Sequence, residues 1–361
     1  MQLFRNLFKS GRKPAMRFLI VRHRKYHRTF FDVIVRWVAT NFPDLAPLFD
    51  VRELPVRITD WSPYCLHAAW LQDPVQQWSA ETYAQALELA VECDRRGIPM
   101  INRVDHLLNA TKSRGARLMS EAGAVTPRMA PIVDRSEFEA TQCGLQAPLF
   151  VREDWGHSRN LFRVDAPDDA RRVPWSTFER PLAVEIVNVS SPDDGLHRKH
   201  RYVAAGDVGV SHHLQISAEW VTRGENRVIT PATRAEELNY ISRPDPNHEL
   251  LQRAREALQL DLVAFDYGYA PDGSMIVWEA NPFPSFKFAS QRLTYRNPAM
   301  HRTMAAILRM YLAAANLPIP AKLEDALALD LAGLERTFTY AEKLGLKDRW
   351  RVWKKRRQRV A

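Results

Sequence analysis

DLVAFDYGYAPDGSMIVWEANPFP, residues 261–284, reads as two apolar strands, 262–269 and 274–278, around the turn Ala270-Pro271-Asp272-Gly273. Asp-Gly between such runs is a strong hairpin signal. A hairpin centred there brings Asp266 opposite roughly Glu279. Glu279 and Asn281 stand two apart at a strand end, so their side chains leave the same face. Two carboxylates and an amide oxygen then converge. These are hard oxygen donors of the kind Mg²⁺ takes together with water and phosphate. Taken alone, the triple reads as a hairpin with ordinary surface acids. Its apolar flanks argue instead for a packed lobe, where unpaired carboxylates are costly.

Upstream of the hairpin, three cations recur in order. Lys112 starts a helix over 112–122, Arg152 ends a strand over 148–152, and Arg201 begins a strand over 201–205, after the acidic loop Asp193-Asp194. Each alone is more often a surface cation. Further strands are expected at 160–164, 182–189 and 208–217, and helices at 246–258, 298–315 and 322–344. Before residue 104 the order is strand 17–21, helix 29–40, strand 51–56, a proline-punctuated loop, helix 80–95 and a short strand at 99–101. That is the signature of a small open α/β domain.

On these residues the chain resembles the ATP-grasp superfamily, closest to its glutathione-synthetase-like and RimK-like carboxylate–amine ligases. The resemblance covers about residues 100–290. Asn102, Thr111-Lys112 and RLMSEAGAVTPRM are similar to the family's first helix and turn. PLFVRED resembles the strand carrying a nucleotide-binding lysine, PLAVEIV the hinge that meets adenine, and HRKHRYVAAGDV the strand of a phosphate-binding arginine. The hairpin resembles the closing metal motif, an Asp followed by Glu-x-Asn. The implied fold class is α/β (α+β grasp), a small open α/β N-terminal domain followed by a two-lobed ATP-grasp domain. The boundaries implied are a basic segment at 1–15, the α/β domain at 16–103, a small lobe at 104–190, a large lobe at 191–320 and C-terminal helices with a basic tail at 321–361.

The resemblance also implies roles. Lys112 and Arg152 would contact phosphates, Glu185 and Val187 would frame adenine, and Asp194 is a candidate for ribose. Arg201 would stabilise the transferring phosphate, and Asp266, Glu279 and Asn281 would hold Mg²⁺ or Mn²⁺. The implied activity uses ATP to make an acyl phosphate from a small-molecule or peptide carboxylate, which an amine-type acceptor then attacks. A kinase acting on a hydroxyl and a degenerate nucleotide-binding protein are the alternatives. Arg152 stands where the family usually has lysine, and Trp155-Gly156-His157-Ser158 carries one glycine where many members have a glycine-rich phosphate cover.

Composition bounds the rest. Of 361 residues, 46% are hydrophobic and 26% charged, as in ordinary globular chains. Cys65, Cys93 and Cys143 lie far apart and form no CxxC or Cys/His cluster, which fits a reducing cytoplasm. No segment has the ~20 apolar residues of a membrane span. The net charge of +9 is uneven: residues 1–28 and 347–361 together carry +16, which leaves −7 for the rest. A uniformly basic nucleic-acid face is thereby disfavoured, and Lys354, Lys355, Arg356 and Arg357 read as a solvated end or a contact for an anionic partner. The oligomeric state is left open, a dimer included.

Other residues carry weaker expectations. His212 and His213 are adjacent on a strand, so one should point inward and the other to solvent, with a substrate contact as the second reading. Lys287 and Arg292 follow the metal motif. His23, Arg24, Lys25 and His27 follow the first strand, where α/β sheets place ligands.

Overall fold

A computed structural model describes residues 16–26, 30–134, 138, 144–155, 161–220, 222 and 226–340. Residues 1–15 and 341–361, His27, Cys143 and the loop at 156–158 lie outside these residues. The chain begins with β1 (Arg17–His23), whose run Phe18 to Val21 is fully buried. Burial on both faces is what a parallel strand covered on both sides requires. Helix α1 (Asp32–Asn41) leads to β2 (Phe49–Leu54), and then comes β3 (Tyr64–Trp70). Helix α2 (Ala80–Arg96) ends at Gly97, whose φ of +66° makes the left-handed cap, and β4 (Met100–Ile101) follows. The sheet is parallel, in the order β2-β1-β3-β4.

β3 falls where the sequence suggested a loop. YCLHAAW shows no alternation because it is an interior strand. Its His67 is tolerated inside because Nδ1 meets the Leu19 carbonyl oxygen at 2.9 Å, and burial lowers the ring's pKa to about 4.

Helix α3 (Lys112–Glu121) opens the next unit. Strands β5 (Met129–Pro131), β6 (Leu149–Glu153), β7 (Leu161–Val164) and β8 (Pro181–Glu185) make an antiparallel sheet in the order β5-β8-β6-β7. It has a core of its own, built on Phe138, Val151, Val164, Phe178 and Ala183. The strand expected at 182–189 stops at Glu185, and residues 186–189 become a connector.

The third sheet contains β9 (His197–Ala205), β10 (Val208–Ser217), β11 (Leu262–Tyr269) and β12 (Met275–Asn281), in the order β10-β9-β11-β12. Between β10 and β11 lie α4 (Pro231–Ile241) and α5 (His248–Ala257). α4 was not expected, although Thr230-Pro231 marks its start: the Thr230 side chain accepts from the Thr233 N–H. α6 (Asn297–Ala314) follows, and the long helix expected at 322–344 divides into α7 (Ala321–Ala328) and α8 (Leu331–Thr337). Asp330 breaks it by capping Gly333 N–H.

Alternation along these strands gives the third sheet two packed faces. Tyr202, Val263, Phe265 and Tyr267 meet Leu251 and Ala254 of α5, in a core that also takes in Leu19 and Val21 of β1. Val203, Leu262 and Ala264 meet Met304 and Leu308 of α6, in a core continuous with Phe18, Ile20 and Trp37. The N-terminal sheet thus shares both cores with the third sheet, and Trp70 Nε1 donates to Tyr311 Oη at 2.8 Å. The second sheet stands apart, leaving a cleft between it and the third. Among the described residues no helix is long and apolar enough to cross a membrane.

Candidate functional site

The α6 face of the third sheet changes character along its strands. Ala264 and Val203 are core; two residues on, the same face carries Asp266 and Arg201. The register aligns His213, Arg201, Asp266 and Glu279 as a single row across β10, β9, β11 and β12. Asp266 thus sits opposite Glu279, the pairing expected from the turn. Arg201 donates to both oxygens of Asp266, Nε at 2.6 Å and Nη2 at 2.8 Å, and Lys199 Nζ lies 3.3 Å away. Burial alone would raise the Asp266 pKa, but Arg201 and Lys199 hold the carboxyl well below the usual range.

Trp278 is the extra residue of a bulge in β12 at this row. Its ring lies over Gly268, where an added Cβ would stand 2.4 Å from the ring and 2.8 Å from the Arg198 carbonyl oxygen.

Lys112 reaches the same region from α3. Its Nζ is 3.9 Å from Glu279 Oε2, and burial lowers its pKa while Glu279 opposes the shift. Asp154 fixes this arrangement. Its carbonyl accepts from Lys112 N–H at 2.8 Å, and its carboxylate accepts from the Ser113 N–H and hydroxyl at 2.8 and 2.9 Å. Two residues before it, Arg152 comes close enough for its charge to act on Lys112.

The cleft has a volume of about 960 Å³. Its lining includes the apolar side chains of Met129, Leu161, Val184, Phe150 and Trp220; the last two stack at 4.5 Å. The same lining presents the charges of Arg152, Arg163, Lys199, Asp266 and Glu279. Glu185 and Val187 line the cleft where β8 leaves for the connector, with Glu185 tied to Arg128 at 3.1 Å.

Other expected residues stand elsewhere. Lys112, Arg201 and Asn281 do not themselves line the cleft, although Lys112 and Arg201 pair with Glu279 and Asp266, which do. The buried Asn281 Oδ1 accepts from Phe283 N–H at 2.9 Å. Asp194 is outside the lining and paired with Arg198 at 2.8 Å, a bond that lowers its pKa to about 2. Lys287 and Arg292 are exposed. His23 is buried and closes a turn, Nδ1 accepting from Lys25 and Tyr26 N–H.

The histidine pair also departs from expectation. A bulge at His212 breaks the strict alternation: His212 is buried against Thr303 Oγ1 at 2.8 Å, as the inward member of the pair, while His213 is half-buried with its Nε2 inside.

Sequence reading missed two residues. Lys199 has a signal, since it precedes Arg201 by two in a strand and so shares its face. Asp73 had none once β3 was taken for a loop. Its carboxyl is buried just past β3, which pushes its pKa up to about 7, and the charges of Lys112 and Glu279 act on it.

The donor set suits magnesium rather than a softer metal. Among the described residues no three His, Cys, Asp or Glu side chains cluster as a metal cage. Asp266 and Glu279 offer carboxylate oxygens, and Mg²⁺ commonly takes one or two of these and completes its shell with water and phosphate.

No family model matches the sequence, and no curated protein matches it either. Solved structures do share the architecture. D-alanyl-alanine synthetase A from Vibrio cholerae superposes with a TM-score of 0.55 at 12% identity, covering 83% of this chain and 98% of that one. The D-alanine–D-alanine ligase of Bacillus anthracis, solved with ATP, gives 0.52 at 14% identity over 83% and 97%. The ATP-grasp ligase PsnB, solved with a minimal precursor, gives 0.50 at 13% identity over 87% and 99%. At these identities the likeness establishes architecture: the chain has the ATP-grasp fold.

Proposed function

We propose that the protein is an ATP- and Mg²⁺-dependent ligase that activates a carboxylate as an acyl phosphate for attack by an amine. The observation that carries this reading is the cleft's polarity. Apolar side chains that can flank a base, Phe150, Val184 and Trp220, line the cleft together with cations and carboxylates, Arg152, Lys199, Asp266 and Glu279. That is an arrangement for phosphates and their metal.

In this reading the base lies against Val184 and the stacked rings of Phe150 and Trp220, beside the connector at Val187. The substrate carboxylate oxygen attacks the terminal phosphorus of ATP, the bond to the bridging oxygen breaks, and ADP leaves. An amine then adds to the acyl carbonyl, loses a proton to solvent, and expels inorganic phosphate. Lys199, Arg201, Lys112 and Arg152 balance the charge on the phosphoryl oxygens, which is most of what such a transfer needs from a protein. Asp266 and Glu279 would hold magnesium, which when bound neutralises phosphate charge. Phosphate oxygens would draw Arg201 and Lys199 away from Asp266, freeing its oxygens for the metal.

The test is ATP turnover with a panel of carboxylates in the presence of hydroxylamine, which converts an acyl phosphate into a hydroxamate. The reading expects ADP and hydroxamate in equal amounts. Phosphate retained on a product stable to hydroxylamine would show a kinase instead.

A further inference from the structure

The opposite face of the third sheet, under α4 and α5, holds a buried carboxyl that takes no part in the cleft. It belongs to Asp245, at the corner between the two helices, in the run Arg243-Pro244-Asp245-Pro246-Asn247. A residue that precedes proline is held to extended backbone, so this corner has few conformations to choose from. Oδ1 accepts from Asn247 N–H at 2.9 Å, and the Asp245 carbonyl oxygen accepts from His248 N–H at 3.1 Å. Oδ2 accepts from two hydroxyls, those of Tyr267 and Tyr240, each at 2.8 Å. A buried carboxyl is costly to leave unbonded, and these donors are what satisfies it.

Both tyrosines lead to the residues that handle phosphate. Tyr267 follows Asp266 in β11 and pairs across the strands with His200, which precedes Arg201 in β9. Successive side chains leave opposite faces, so Tyr267 and His200 back the Arg201–Asp266 pair. Their rings stack at 4.9 Å, and Tyr240, from the last turn of α4, meets the His200 ring edge-on at 4.9 Å. Tyr240 Oη also lies 3.2 Å from the Arg201 carbonyl oxygen. Asp245 thus grips β11 one residue from Asp266 and, through Tyr240, β9 at Arg201 itself. We propose that Asp245 is a positioning residue of the phosphate site, fixing through Tyr240 and Tyr267 where Arg201 and Asp266 stand when they meet the terminal phosphate and its metal. Buried partners of this kind orient the contacting groups without touching the ligand. The inference rests on the nucleotide reading above.

The test titrates AMP-PNP and ADP, each with Mg²⁺, into the full chain by calorimetry. AMP-PNP carries the terminal phosphoryl group that ADP lacks, so the ratio of the two affinities reports on Arg201 and Asp266. A general loosening of the fold weakens both nucleotides alike and leaves the ratio unmoved. Tyr240→Phe with Tyr267→Phe keeps both rings and removes both hydroxyls. That double variant should lower the AMP-PNP to ADP affinity ratio about fivefold or more from its wild-type value. Tyr202→Phe is the control. Its hydroxyl, on the same face, meets His248 at 2.8 Å and Gln252 at 3.0 Å, and its strand partner is Phe265. It should leave the ratio within about twofold. If the double variant does not fold, each single variant should lower the ratio about threefold or more.

A smaller fall in the ratio, equal weakening of both nucleotides, or a fall beyond twofold in Tyr202→Phe would each overturn the proposal. Wild type that binds neither nucleotide would instead remove the nucleotide reading beneath it.

Discussion

At the residue scale, Asp266 and Glu279 differ more than their shared motif suggests. Asp266 is buried and bound at both oxygens by Arg201, whereas Glu279 is more exposed and meets Lys112 at 3.9 Å. Removing one member of a buried pair leaves an uncompensated charge, a loss of about 3–5 kcal/mol. Asp266→Asn should therefore lower stability by that order as well as abolish turnover, while Glu279→Gln should abolish turnover with a loss nearer ~1 kcal/mol. Urea unfolding of both variants checks this; equal losses would contradict the unequal roles assigned to the two acids. The sequence made this pair legible, because the Asp-Gly turn fixes which residues oppose each other. It could not show that Arg201 already holds Asp266, since that depends on register between strands sixty residues apart. Asp73 was illegible for a related reason: its burial is set by the tertiary fold, which no local pattern records.

At the scale of elements, β11 and β12 shape the cleft through one missing side chain. Gly268 has room for no Cβ beneath Trp278 and the Arg198 carbonyl. Because Trp278 also lines the cleft, Gly268→Ala should displace the ring, cost about 1–3 kcal/mol as overpacking does, and weaken nucleotide binding several-fold. Calorimetric titration beside an unfolding curve measures both, and a variant with wild-type stability and affinity would show that Trp278 is not held there. Periodicity found β6, β7, β10, β11 and β12 because each is long or turn-bounded. It missed β3, whose interior position removes alternation, and α4, whose sequence PATRAEELNYI has little apolar stripe and is marked chiefly by its cap. The helix expected over 322–344 ran through Asp330 because a cap inside an apolar pattern looks like one more polar position.

For the whole molecule, the three sheets divide the work unequally. The N-terminal and third sheets share two cores and form one platform, while the second sheet keeps its own core and closes the cleft from above. The sequence marked this organisation through the order of its cations and acids, which run from α3 through β6 and β9 to the β11–β12 hairpin. It was silent on the substrate side, because the nucleotide machinery does not fix the acceptor. The central claim is that this cleft binds a nucleotide through its phosphates and magnesium, and the most direct measurement is the thermal unfolding of wild type with ATP, with and without Mg²⁺. The account predicts a rise in midpoint that requires Mg²⁺ and corresponds to about 2.7 kcal/mol at one hundred times the dissociation constant. No shift at millimolar ATP with Mg²⁺, or one of equal size without the metal, would contradict it.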